Sequence, residues 1–111
     1  MIQITPQMRI LLAVDPVDFR KGIDGLAAIC TMLDLDPFSG YLFVFRSRSG
    51  TSLRILTYDS QGFWLCQKRL SKGRFRWWPK GGTITRCAAH ELQALLWNKD
   101  PGSAPVWRPL K

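Results

Sequence analysis

Residues 41–69, YLFVFRSRSGTSLRILTYDSQGFWLCQKR, hold three β-prone runs separated by two short turns. Tyr41 to Phe45, Leu53 to Tyr58 and Phe63 to Arg69 are rich in the branched and aromatic side chains that fit a pleated surface. Ser47-Arg48-Ser49-Gly50 divides the first two runs. Asp59-Ser60-Gln61-Gly62 divides the last two, and its Asp and Gly suit a hairpin turn. Connections of about four residues join antiparallel neighbours, because a parallel crossover needs about a dozen or more. An antiparallel meander is the simplest reading of this stretch.

Working outward, Met8 to Val14 is apolar apart from Arg9 and stops at Asp15-Pro16, as expected of a buried strand ended by a proline-biased turn. Ile23, Leu26, Ala27, Cys30 and Leu33 then recur at the spacing of one helical face, with Gly22 and Gly25 weakening the first turns. Downstream, Gly73 to Trp78 reads as a short edge strand before Pro79-Lys80-Gly81-Gly82. A last helix carries Leu92, Leu95 and Leu96 and ends near Lys99-Asp100-Pro101. The expected fold is a single small α+β domain over residues 1–104. It has a mainly antiparallel sheet of four to five strands, helices at about 22–34 and 88–98, and a tail at 105–111 docked through Trp107.

The chain has 111 residues, 46% hydrophobic and 22% charged, which fits one ordinary globular domain and excludes wholesale disorder. No run of about 18 uncharged apolar residues is present, so no membrane-spanning helix is expected. The first six residues lack a basic start and apolar run, which points to the cytoplasm. In that compartment Cys30, Cys66 and Cys87 read as reduced thiols.

The net charge of +8 is concentrated in one region. Residues 46–86 carry ten Lys and Arg against Asp59 alone, whereas residues 1–37 carry three cations against five Asp. Arg46, Arg48, Arg54, Lys68, Arg69, Lys72, Arg74 and Arg76 occur among Phe45, Tyr58, Phe63, Trp64, Phe75, Trp77 and Trp78. Phosphate-contacting cations and flat stacking surfaces on one sheet face would suit DNA. In an extended segment Arg74 and Arg76 would take one side, with Phe75 and Trp77 on the other. The structural alternative is that the aromatics are core and the cations a solvated face.

Signatures of catalysis are missing: there is no P-loop, no G-x-S-x-G and no H-E-x-x-H. His90, the only histidine, adjoins Glu91, and neighbours along a helix point apart. Cys87 and His90, even with Cys66, fall short of the usual four zinc ligands. Asp15 and Asp18 are better placed to cap the following helix than to bind a catalytic metal. Neither enzyme activity, nor a metal, nor a cofactor is expected.

The motifs in their order resemble the small accessory protein, often called TnpB, encoded by the second reading frame of the insertion-sequence sixty-six family. Asp18-Phe19-Arg20-Lys21-Gly22-Ile23-Asp24-Gly25-Leu26 is similar to the family's Asp-x-Arg-Lys-Gly-x-Asp-Gly-Leu. Gly40-Tyr41-Leu42-Phe43-Val44-Phe45, Leu53-Arg54-Ile55-Leu56, Lys68-Arg69-Leu70 and Gly73-Arg74-Phe75 resemble its later motifs. Trp77-Trp78-Pro79 departs from a single Trp before Pro, and Arg54 stands where Lys is frequent.

The resemblance implies a non-catalytic part in transposition beside a separate transposase and a second accessory protein. DNA, as element ends or target, is the expected partner of the basic sheet face, with Arg20 and Lys21 as further contacts. The structural alternative for that motif is a tight strand-to-helix turn with Arg20 paired to Asp24. The rival function is an adaptor that recruits the transposase through Trp77, Trp78 and Trp107.

Overall fold

The computed structural model describes residues 5 and 7–99 and the backbone of 108–109. Five strands and a two-residue sixth form one sheet: β1 (Ile10–Ala13), β2 (Leu42–Arg46), β3 (Ser52–Tyr58), β4 (Phe63–Arg69), β5 (Ile84–Cys87) and β6 (Arg108–Pro109). Helix α1 spans Ile23–Met32 and α2 spans Ala89–Leu96. The spatial order is β4-β3-β2-β1-β5-β6. All neighbours are antiparallel except β1 and β2, which pair in parallel with Ile10 opposite Leu42.

The α+β class and both helices are as the sequence reading has them, and β2, β3 and β4 form the expected meander. Three features differ. First, β1 joins β2 through α1 as a parallel crossover; the segment between them is long enough for one, so the dozen-residue requirement is met. Second, Gly73 to Trp78 is not an edge strand, and the fifth strand is Ile84–Cys87. After leaving β4 the chain must cross to β5 on the far side of β1, so this segment straps the sheet instead of extending it. Phe75 N–H donates to Gly50 O at 2.8 Å, and the Trp78 indole donates to Ala13 O at 3.2 Å. Third, the helices are a little shorter than read. Asp34 and Asn98, just past their ends, have φ of +61° and +55°, left-handed positions that stop a helix.

Both faces of the central strands are covered, which explains why β1 and β2 show no polar alternation. On one face Leu11, Phe43, Phe45, Leu56 and Ile84 pack with Leu26 and Cys30 of α1. On the other, Ile10, Leu12, Val44, Leu53 and Ile55 meet Leu92 and Leu95 of α2, with Phe75, Trp77 and Trp78 of the strap against them. In α2 the buried Glu91 turns back to accept the Ala88 N–H at 2.8 Å, half of a capping box. The backbone of Arg108–Pro109 pairs with β5, whereas Trp107 lies outside the described residues.

The approach to α1 differs from the capping reading. Gly22 occupies the N-cap with no side-chain bond to the helix, and Asp15 is exposed. Within the helix, a Cβ at Gly25 would sit 2.6 Å from Lys21 Cβ, the rigid root of that side chain. Gly25 therefore lets the Arg20-Lys21 turn lie close against α1, while Gly22 has nothing within 4 Å. Gly→Ala inside an open helix stabilises by about 1 kcal/mol. Here Gly25→Ala is expected to lower the urea midpoint, while Gly22→Ser, which supplies a cap, raises stability by about 0.3 kcal/mol.

Candidate nucleic-acid interface

Strand alternation divides the cations of the sheet between its two faces instead of collecting them on one. Arg46 and Lys68 lie on the α2 side, where Arg46 stacks 5.7 Å from the Trp78 ring centroid and Lys68 Nζ donates to Leu96 O beneath Trp97. Arg54 lies on the α1 side, over Phe19 at 4.4 Å, donating to Gln67 Oε1 at 2.6 Å and to Lys21 O at 2.9 Å. A basic sheet face is therefore not what the fold builds. Both faces are taken by helices and core, and the cations can gather only where the strands end.

They gather at one end. Parallel pairing brings the exits of β1 and β2 together; Val17 N–H donates to Arg46 O at 2.9 Å, and Val17 bridges to Ser47. The Arg20-Lys21 turn, which follows β1, is thereby set beside the Ser47–Gly50 turn with Arg48. The antiparallel ladder adds the exit of β4, with Arg69 opposite Ser52 and Leu70 N–H donating to Thr51 O at 2.9 Å. The strap adds Lys72, Arg74 and Arg76. Gly50, with φ +75°, leaves room for the aliphatic stem of Arg74, which a Cβ would meet at 3.8 Å.

The strap alternates as the sequence reading expects, although it is not a strand: Arg74 and Arg76 are exposed, Phe75 and Trp77 half-buried. Asn98 is the residue that sequence reasoning missed. Its Oδ1 accepts the Arg76 N–H at 2.9 Å, its Nδ2 donates to Arg74 O at 3.2 Å, and its carbonyl accepts from the Arg76 guanidinium at 3.0 Å. An Asn at the last position of the expected helix was the available signal. Lys80, one of the ten cations of the basic stretch but not one of its expected DNA contacts, is exposed in the same loop before β5.

Several of the basic residues therefore have structural work. Arg46, whose Nε is buried without a hydrogen-bond partner, Arg54, Lys68 and Arg76 are engaged with the protein itself. Arg69, Lys72 and Arg74 have no carboxylate partner among the described residues. Arg9 stands at the opposite end of the sheet, donating to the Tyr41 hydroxyl at 3.1 Å. Trp77 and Trp78 are half-buried against the core, and among the described residues the exposed indoles are Trp64 and Trp97, 57% and 73% accessible.

Asp15, Asp18, Lys21 and Arg48 line one groove of about 240 Å³ beside this end. Arg20 pairs with Asp18 at 2.8 Å, not with Asp24, and its backbone N–H donates to the same carboxylate at 2.9 Å. Those bonds hold the Asp18 carboxyl down to about 2, so it stays ionised and is unsuited to proton transfer near neutrality. Among the described residues no three His, Cys, Asp or Glu side chains converge to hold a metal. Burial pushes the Cys30 thiol up to about 12 and raises Cys87 as well, and the Cys87 thiol donates to Ala88 O. His90 is exposed on α2. No helix among the described residues is long and apolar enough to cross a membrane.

The depressed Asp18 value gives a signed expectation. The ionised Asp18–Arg20 pair supports the turn above pH 4 and is lost as pH falls from about 3.8 towards about 2. A carboxyl-carbon NMR titration should give about 2 for Asp18 and a higher value, still below 3.8, in Arg20→Ala, which loses the guanidinium but keeps the backbone N–H bond and the Arg48 charge.

The arrangement just described falls within a known group of sequences. A family model described as IS66 Orf2 like protein matches residues 8–102, from just before β1 to beyond α2. Two uncharacterized proteins of Sinorhizobium fredii are similar along nearly their full length. One, y4hO, is 38% identical over 106 residues, with 94% of this chain and 92% of the relative covered. The other, y4jC, is 35% identical over 108 residues with the same coverage. No solved structure matches the chain. With β1 to β5, both helices and the basic end all inside the matched span, the chain belongs to the IS66 Orf2-like family of transposition-associated accessory proteins.

Proposed function

We propose that this protein is a non-catalytic, cytoplasmic DNA-binding accessory factor of transposition, which holds element ends or target DNA beside a separate transposase and a second accessory protein. The contact surface is the basic end of the sheet. One observation carries the reading: four separate segments, at 20–21, 46–48, 69 and 72–76, deliver cations to the same end. Charge clustered in sequence alone could scatter over a surface; charge assembled by tertiary pairing makes one positive edge. Arg48, Arg69, Lys72 and Arg74 are the proposed phosphate contacts, joined by Lys21. Arg46, Arg54, Lys68 and Arg76 shape the surface through their internal contacts.

Neutralising phosphates releases counterions, so log affinity falls with log salt at a slope of about 0.9 per phosphate contacted. Five contacts give a slope near −4.5 by that rule, roughly, for a duplex from the element's terminal repeats. Fluorescence anisotropy across a salt series should show it, with Arg69→Ala/Lys72→Ala/Arg74→Ala reducing the slope by about 2.7. An unchanged slope in that variant would remove the basic end from the interface. Preference for terminal over scrambled duplex would mark an end-recognition factor; equal affinity would mark a nonspecific clamp.

The adaptor reading is supported by one exposed side chain, Trp97, which stands at the end of α2 over Lys68. Aromatic anchors of this kind carry much of the energy at protein interfaces. Under that reading, in which the chain does not itself bind DNA, Trp97→Ala abolishes co-purification with the transposase. Retained co-purification would remove Trp97 as the anchor.

A further inference from the structure

Strand β4 ends the sheet on one side, and no described element pairs with its outer edge. An open seven-residue edge invites another strand, because its outward N–H and C=O groups lack ladder partners. Which groups these are follows from the ladder with β3. Asp59 N–H donates to Gly62 O at 3.1 Å and Leu70 N–H to Thr51 O at 2.9 Å, so even-numbered residues of β4 bond inward. Phe63, Leu65, Gln67 and Arg69 therefore present their backbone groups outward.

We propose that two copies of this chain pair antiparallel through β4, centred on Cys66 facing its counterpart. This register alone pairs all four outward-facing residues within the strand: Phe63 with Arg69 of the other copy, and Leu65 with Gln67. It also places Trp64 opposite Lys68 twice, in the non-hydrogen-bonded positions where side chains come closest. Trp64 is 57% exposed, and Lys68 already lies under the Trp97 ring, so the second indole completes a cation held between aromatic faces. Moving the centre to Lys68 would instead oppose two like charges.

The strand is thus complementary to its own reverse, apolar and aromatic at one end and cationic at the other. A two-fold contact needs that property, since each residue must suit its mate in both directions. The resulting dimer would be one continuous sheet with a basic end at each extremity. The inference stands whether or not those ends bind DNA.

Sedimentation velocity on the purified chain tests it, with far-UV circular dichroism confirming that each variant is folded. The wild type is expected to be a dimer. Trp64→Lys, which sets Lys against Lys68 twice, should be monomeric, while Trp64→Glu, which keeps an attractive pair, should remain dimeric. Both variants lose the Trp64 indole bond to Asp59 alike, so that loss cannot account for a difference between them. Cys66 pairs in the close, non-hydrogen-bonded position have Cα atoms about 4.5 Å apart, within disulfide range. Mild oxidation with diamide should therefore link the wild-type dimer through Cys66 and fail in Cys66→Ser, Cys30 and Cys87 being buried. A wild-type monomer at all concentrations, which would leave the edge to a different strand, overturns the proposal. So does a dimer that survives Trp64→Lys or does not link through Cys66.

Discussion

The parallel pairing of β1 with β2 is the constraint on which the rest of the structure depends. Parallel strands finish at the same end, and here the ladder is prolonged by the bridge between Val17 and Ser47. That contact brings the Arg20-Lys21 turn beside the β2–β3 turn. Had β1 run antiparallel to β2, the motif at 18–26 would lie at the opposite end of the sheet from Arg48, Arg69 and Arg74. The pairing also puts β1 and β2 in the middle of the sheet, where helices must cover both faces. The cations on the faces, Arg46, Arg54 and Lys68, are then held in internal contacts, and the others are displayed at the strand ends and their loops.

The strap from β4 to β5 is the second determinant of the basic end. Its aromatics are anchored on the α2 face while its arginines point away, so one short segment both closes the core and displays charge. Asn98 ties it to the end of α2 through both the side chain and the main chain. The left-handed backbone at Asn98 ends the helix and directs its amide towards the strap. Arg46 over Trp78 shows how the two parts meet: a half-buried guanidinium is held by an aromatic face instead of a carboxylate. Local helix termination, aromatic packing and surface charge are therefore linked from Arg46, at the end of β2, to Asn98, just past α2.

Much of this was legible in the sequence, because the legible parts are local. The meander from Leu42 to Arg69 follows from short turns between β-prone runs, and α1 from a three-and-four apolar spacing. The motifs around Asp18–Leu26 and Gly40–Phe45 also carried the family membership. What escaped the sequence depends on long-range pairing. Ile84–Cys87 is four residues long after two glycines, too short to announce a strand. Gly73–Trp78 alternates like a strand but makes its contacts to a sheet face and a helix end. Summed charge located the basic region, yet could not distinguish a face from an end, since that depends on which strands run parallel. Arg54 and Lys68 illustrate the cost: both belong to the basic stretch, and both are spent on internal contacts.

The central claim is that the gathered strand ends form one DNA-contacting surface. Hydrogen–deuterium exchange of the full chain with and without terminal-repeat duplex tests it most directly, since it reads position independently of affinity. The account predicts protection confined to residues 17–21, 46–51 and 69–76, with the Arg9 end of the sheet unchanged. Protection centred on Arg9, Tyr41 and Arg86 instead, or none at saturating DNA, would contradict it.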